Sequence, residues 1–141
     1  MIRRLVRRFG RDDGRVSVFF AILTPAFLAM IGLVVDGGAQ VRALQRADNI
    51  AAEAARSAGQ AIQAGPAIDG GEKRIDHAAA ETAVQAYLGA LDGVTGQLTV
   101  DDDQQLTVTV TVTYDPILLD LLGGGGSSTV RGTAHATLVA G

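Results

Sequence analysis

Three hydrophobic periods follow one another along this chain, and each predicts a different element. From Val16 to Val35 there are twenty residues without a charge, sixteen of them apolar, the exceptions being Ser17, Thr24, Pro25 and Gly32. At a rise of about 1.5 Å per residue, twenty helical residues cover roughly 30 Å, the thickness of a bilayer's hydrocarbon core. A signal-peptide apolar region is shorter, about 7–15 residues, so the length predicts a transmembrane helix over 16–35. Gly37-Gly38-Ala39 place small residues just beyond it and keep a cleaved leader as the alternative. Mid-span, Pro25 removes one backbone donor, with Thr24 beside it to satisfy a freed carbonyl; a bend is expected there.

Beyond the span the period stays helical. Leu44, Ala47, Ala51, Ala54, Ala58 and Ile62 recur at intervals of three or four with no Pro before Pro66, which predicts that the helix continues outward over about 38–62. Gly37-Gly38 is its weak point, at about 1 kcal/mol per Gly relative to Ala, and leaves a hinge as the second choice. Seven Ala between Ala51 and Ala64 give a smooth face, on which Ala54 and Ala58 are the candidate helix-packing residues. Gly65-Pro66 and Gly70-Gly71 mark a linker. A second amphipathic helix is predicted over about 72–91, beginning near Glu72 or at Asp76 as N-cap, with Ile75, Ala79, Ala83, Tyr87 and Leu91 on its apolar face and Gly93 as its stop.

Past Gly96 the period becomes two. Leu98 and Val100 alternate with Gln97 and Thr99; Leu106, Val108, Val110, Val112 and Tyr114 then alternate with Thr107, Thr109, Thr111 and Thr113. Half-buried strands are predicted at about 96–101 and 105–114, closed into a hairpin by Asp101-Asp102-Asp103-Gln104. A third strand, about 129–140, uses Gly132, Ala134 and Ala136, small residues suited to a strand facing a closely packed helix. Between the last two strands, Asp115 as cap and Pro116 at the first helical position open a Leu-rich turn, Ile117–Leu122, ended by Gly123–Gly126. Its five apolar residues are too many for so small a core, so contact with membrane or a partner stands beside burial. The stretch 115–128 is long enough for either an antiparallel return or a crossover beside strand one.

Charge orients this plan. The chain's 141 residues carry −3 overall, but residues 1–15 hold six Arg against two Asp, a +4 that leaves −7 for the rest. Arg before a span predicts a cytoplasmic N-terminus, and a single-pass plasma-membrane protein with everything past about residue 36 outside the cytoplasm. A uniformly basic nucleic-acid binder is disfavoured. With no Cys and two His, thiol nucleophiles, disulfides and thiolate metal sites drop out together. Asp101, Asp102 and Asp103 lack the following Glu of a calcium loop, and Gly123–Gly126 follows a helix where a phosphate-binding loop would precede one. His77 and His135 have no acidic partner at a telling spacing. No catalytic, metal or cofactor-binding residue, no cofactor and no small-molecule substrate is expected.

The ordered set Gly14-Arg15-Val16-Ser17-Val18-Phe19, Pro25, Gly32-Leu33-Val34-Val35-Asp36-Gly37-Gly38 and Leu44-Gln45-Arg46-Ala47-Asp48-Asn49-Ile50-Ala51-Ala52-Glu53-Ala54-Ala55-Arg56 resembles the TadE/TadG-like proteins of Flp (tight adherence) pilus assembly over about residues 14–62. The C-terminal pattern looks like that of actinobacterial members. The family-motif positions are Gly14, Pro25, Asp36, Gly37, Leu44, Gln45, Ala47 and Asp48. This resemblance implies a non-enzymatic minor pilin or pseudopilin that packs against other pilus-assembly subunits through its helix. It also implies a comparison: prepilins of the superfamily are cut after a Gly and carry Glu at the fifth mature position. Cutting after Gly14 would put Phe19 there, and after Gly10, Arg15.

Together these readings predict an α+β protein in three parts: a basic cytoplasmic segment 1–15, a transmembrane helix 16–35, and an extracytoplasmic domain 36–141 with a small, mainly antiparallel three-stranded sheet. The function expected is a membrane-anchored subunit of a Tad/Flp-type pilus and secretion system. The alternative is a surface-anchored or secreted binding module whose sheet takes a ligand.

Overall fold

The computed structural model describes residues 11–61, 74–102 and 104–137. The linker glycines, Glu72, Asp103, the Arg residues before position 11 and the end of the third strand expected past 137 lie outside the described residues. Helix α1 runs Arg11–Gly59, 49 residues, continuous through Pro25 and through Gly37-Gly38. Its length is on the order of 70 Å. A hinge is therefore not the outcome at the two glycines: once so long a helix is nucleated, each Gly costs only about 1 kcal/mol to carry through.

The two ends of α1 meet different surroundings. Its most apolar stretch has none of its residues buried within the fold, and Val16, Phe19, Ile22, Phe27, Met30, Leu33 and Val34 are all more than half exposed. From Ala43 onward one stripe is buried: Ala43, Ala47, Ile50, Ala51, Ala54, Ala55 and Ala58. Leu44, expected on that stripe, is exposed, because the surface meeting the sheet is made almost wholly of Ala and a Leu there would hold the two apart.

Helix α2, His77–Gly89, is capped by Asp76, whose carboxylate accepts from the Ala79 N–H at 3.1 Å. The Asp76 N–H donates to the Ala61 carbonyl at 3.0 Å, so the chain re-enters beside the end of α1. Its buried stripe is Ala80, Val84 and Leu88, with Ile75 buried just before the helix. The expected stripe through Ala79, Ala83 and Tyr87 lies one residue round: Ala79 is exposed and Ala83 half-buried, while Tyr87 and Leu91 pack at the margin. Two apolar rows run side by side on this helix, and the row with the larger aliphatic residues, Val84 and Leu88, takes the core.

Strands β1 (Val94–Asp102), β2 (Gln105–Tyr114) and β3 (Ser128–Thr137) form an antiparallel sheet in that order. Gly93, at φ +69°, turns the chain from α2 into β1. The long connection after β2 makes an antiparallel return. Register places four rows on the inner face: Val94–Val112–Val130, Gly96–Val110–Gly132, Leu98–Val108–Ala134 and Val100–Leu106–Ala136. Leu106, Val108, Val110 and Val112 are fully buried and form the middle of the core between sheet and helices. The opposite face carries Thr95, Gln97, Thr99, Thr107, Thr109, Thr111, Arg131, Thr133 and His135 and faces solvent, as alternation on an antiparallel sheet allows.

Candidate functional site

The Gly96–Val110–Gly132 row explains why α1 is built of alanine. A Cβ placed on Gly132 would fall on the α1 backbone, 2.5 Å from the Asp48 nitrogen and 2.6 Å from the Ala47 carbonyl oxygen. One on Gly96 would meet Leu88 Cδ1 at 2.6 Å and the Thr109 carbonyl oxygen at 2.9 Å. The two glycines are notches, one receiving the α1 backbone and the other the Leu88 side chain, with buried Val110 between them. Ala47 is fully buried at the deeper notch, and its neighbour Asp48 faces outward. Ala54 and Ala58 lie further along the same buried stripe, while Gln45 is exposed.

Asp36, the first charged residue after the apolar stretch, holds the loop between β2 and β3. Its Oδ1 accepts from the Ile117 N–H at 2.8 Å and the Leu118 N–H at 3.0 Å; its Oδ2 accepts from Leu118 at 3.0 Å and Leu119 at 3.1 Å. These are the first N–H groups of a short helical turn, α3 (Ile117–Leu119), which leads into a wider turn, Asp120–Gly124, that ends with Gly123 at φ +80°. Asp115 was expected to cap this turn. Instead Pro116 is the N-cap residue, has no side chain to offer the free donors, and leaves them to Asp36. The Leu118 N–H foremost, then those of Leu119 and Ile117, hold the Asp36 carboxyl below its ordinary value, against an opposing push from desolvation.

One helical turn before Asp36, Gly32 completes the joint. The Leu118 side chain occupies the place a Cβ on Gly32 would need, its Cγ lying 2.7 Å from that point. Sequence reasoning missed this contact because its halves are more than eighty residues apart in the chain. The available signal was the Leu-rich turn itself: its N-cap residue, a Pro, cannot accept through a side chain.

On the solvent face, register places Thr107 opposite His135. Thr107 Oγ1 lies 3.0 Å from Asp101 Oδ2 and 2.9 Å from His135 Nδ1. A carboxylate only accepts, so the threonine's one proton goes to Asp101 and His135 donates through Nδ1. In that arrangement the hydroxyl's proton is not offered to the imidazole, and the trio ties three strands together rather than activating a nucleophile. The sequence spacing gave His135 no acidic partner; the strand register links it to Asp101 through a hydroxyl. Beside the trio, a shallow groove of about 400 Å³ is lined by Thr95, Gly96, Gln97, Thr109, Thr111 and Arg131. Among the described residues no three His, Asp or Glu side chains stand close enough to hold a metal ion.

The other motif positions take no part in these contacts. Gly14 and Gly37 have open space where a Cβ would stand, and Pro25 sits exposed within α1.

A long apolar helix leads directly into a helix-on-sheet domain, with backbone-close packing and a clamp at the junction, an arrangement that fits a single-pass anchor. Within that class the family is specific: residues 14–61 match the family model described as Flp pilus-assembly TadE/G-like, so the first part of the chain carries a TadE/G-like pilus-assembly domain. No curated protein and no solved structure matches the chain. The matched segment is α1 from Gly14 to its end, including Gly32, Asp36, Ala47, Ala54 and Ala58. The match supports a role in Flp/Tad pilus assembly. Its long apolar helix fits a single-pass membrane anchor in such a protein.

Proposed function

We propose that this protein is a membrane-anchored minor pilin, pseudopilin or assembly subunit of a Tad/Flp-type pilus and secretion system. Residues 1–15 are cytoplasmic, 16–35 span the plasma membrane, and 36–141 form the extracytoplasmic domain. It works by packing: its partners are membrane lipid and other pilus-assembly or pseudopilin subunits. The observation that supports this reading is the coincidence of the family match with α1, a helix whose C-terminal half buries an alanine stripe and whose N-terminal half carries an apolar surface left largely exposed by the described residues. The orientation rests on the Arg asymmetry.

Protease shaving of intact cells tests the topology. A tag following Gly141 is expected to be digested while a tag preceding Met1 is protected; the reverse pattern overturns the orientation. Deletion of the gene is expected to abolish or reduce surface pili, with restoration by the full chain.

The groove on the threonine face favours a second reading, a surface-anchored binding module. Normal piliation in the deletion strain, together with a cell-wall or small-molecule ligand that protects Thr109 and Arg131 from exchange or modification, would select it.

A further inference from the structure

We infer that the turn Ile117–Leu122 is a second membrane contact, a short apolar foot that inserts into the outer-leaflet interface beside the exit of α1. The inference rests on the reading of 16–35 as a membrane span. Ile117, Leu119, Leu121 and Leu122 are exposed by 66%, 52%, 81% and 72%, in a domain whose other large aliphatic residues are mostly buried. Exposure alone would not say what covers them. Their position does.

Leu118 is seated on Gly32 and the three leading N–H groups of the turn are bound to Asp36, so the turn is fixed to α1 at those two residues. Gly32 lies three residues inside the end of the uncharged stretch, about 5 Å at helical rise, and Asp36 is the first residue past that end. The foot therefore stands at the level where hydrocarbon gives way to headgroups, the depth at which interfacial helices bury an apolar face. Ile31, Val34 and Val35, which flank Gly32 and Asp36 in the sequence of α1, are exposed as well.

Backbone chemistry agrees. At that depth water is scarce and an unbonded N–H is costly, so the start of a short helix is tolerated there only if something satisfies its donors. Asp36 does this with both oxygens. The turn's own charge, Asp120, places its carboxylate against Gly125, where the chain returns toward β3.

The chain has no Trp, so one introduced indole reports alone. The full-length protein would be reconstituted in phosphatidylcholine vesicles as L122W, with L121W as a second position in case either perturbs folding. F27W, near the middle of the span and therefore read with phosphatidylcholine brominated toward the ends of its acyl chains, serves as the span reference and T109W as the solvent reference. The expected result is blue-shifted emission from the foot variants and at least about twofold quenching by phosphatidylcholine brominated near the top of its acyl chains, with T109W unaffected.

If F27W is quenched while both foot variants emit like T109W, the foot is in water and the inference is overturned. Blue-shifted but unquenched foot emission places protein over the foot, from the same chain or a second copy, and also overturns it. If F27W itself escapes quenching, the spanning reading fails first and the foot fails with it.

Discussion

Asp36 spends both carboxylate oxygens on three consecutive N–H groups, and that use determines what a change at this position does. Asparagine keeps one accepting oxygen and no charge, so it can hold only part of the set; alanine holds none. Amide exchange at Ile117, Leu118 and Leu119 should therefore quicken slightly in D36N and strongly in D36A, measured by hydrogen exchange on the micelle-bound protein, with the amides of β2 unchanged. The pH dependence has a definite sign. Hydrogen bonding lowers the carboxyl below its ordinary 3.8, so the clamp is present at and above that value and is lost only as pH falls through the lowered value. Titration of the Leu118 amide shift should show no change between pH 7 and 5, and release of the turn below the usual carboxylate range. Release at pH 5 or above would mean that Asp36 is not the group holding it.

Among elements, the contact of α1 with the sheet turns on one missing side chain. Gly132→Ala places a Cβ on the Ala47–Asp48 peptide, where backbone on both sides leaves little room to give, so overpacking should cost about 1–3 kcal/mol. Gly126→Ala, where a Cβ meets nothing, should stay within about 0.5 kcal/mol of the parent. Chemical denaturation of the full chain in detergent would compare them, and equal stabilities would refute the notch.

Much of this architecture was legible in the sequence, because period and residue size act locally. The apolar run marked the exposed N-terminal part of α1, the Thr/Val alternation fixed which side of β2 is buried, and Gly132, Ala134 and Ala136 announced a strand under a close helix. Three things were not legible. The buried row of α2 could not be chosen from two adjacent rows without knowing where Gly96 would receive Leu88. The direction of β3 depended on a connection whose length permits either answer. The clamp joins Asp36 to residues more than eighty positions away, beyond the reach of any local period.

For the whole molecule the decisive question is whether a prepilin peptidase acts on it, and charge argues against filament building. Cutting after Gly14 would leave a new amine on Arg15, beside that residue's own positive charge, with Phe19 where the resemblance to prepilins implies a Glu to pair with such an amine. No acidic residue follows until Asp36. Asp36 is twenty-one residues on, roughly 30 Å along a continuous helix, and its oxygens are engaged by the Leu-rich turn. A filament that buried the new terminus would bury it unpaired, at a cost of several kcal/mol, whereas retaining residues 1–14 would, in the proposed topology, leave the Arg cluster at the headgroups. Intact-mass measurement and N-terminal sequencing of the membrane-extracted protein should find Met1 or Ile2 as the first residue, and sheared pili should hold few copies. A start at Arg15 with abundant copies in the sheared fraction would mean that another subunit supplies the missing carboxylate, and would make this chain a filament component.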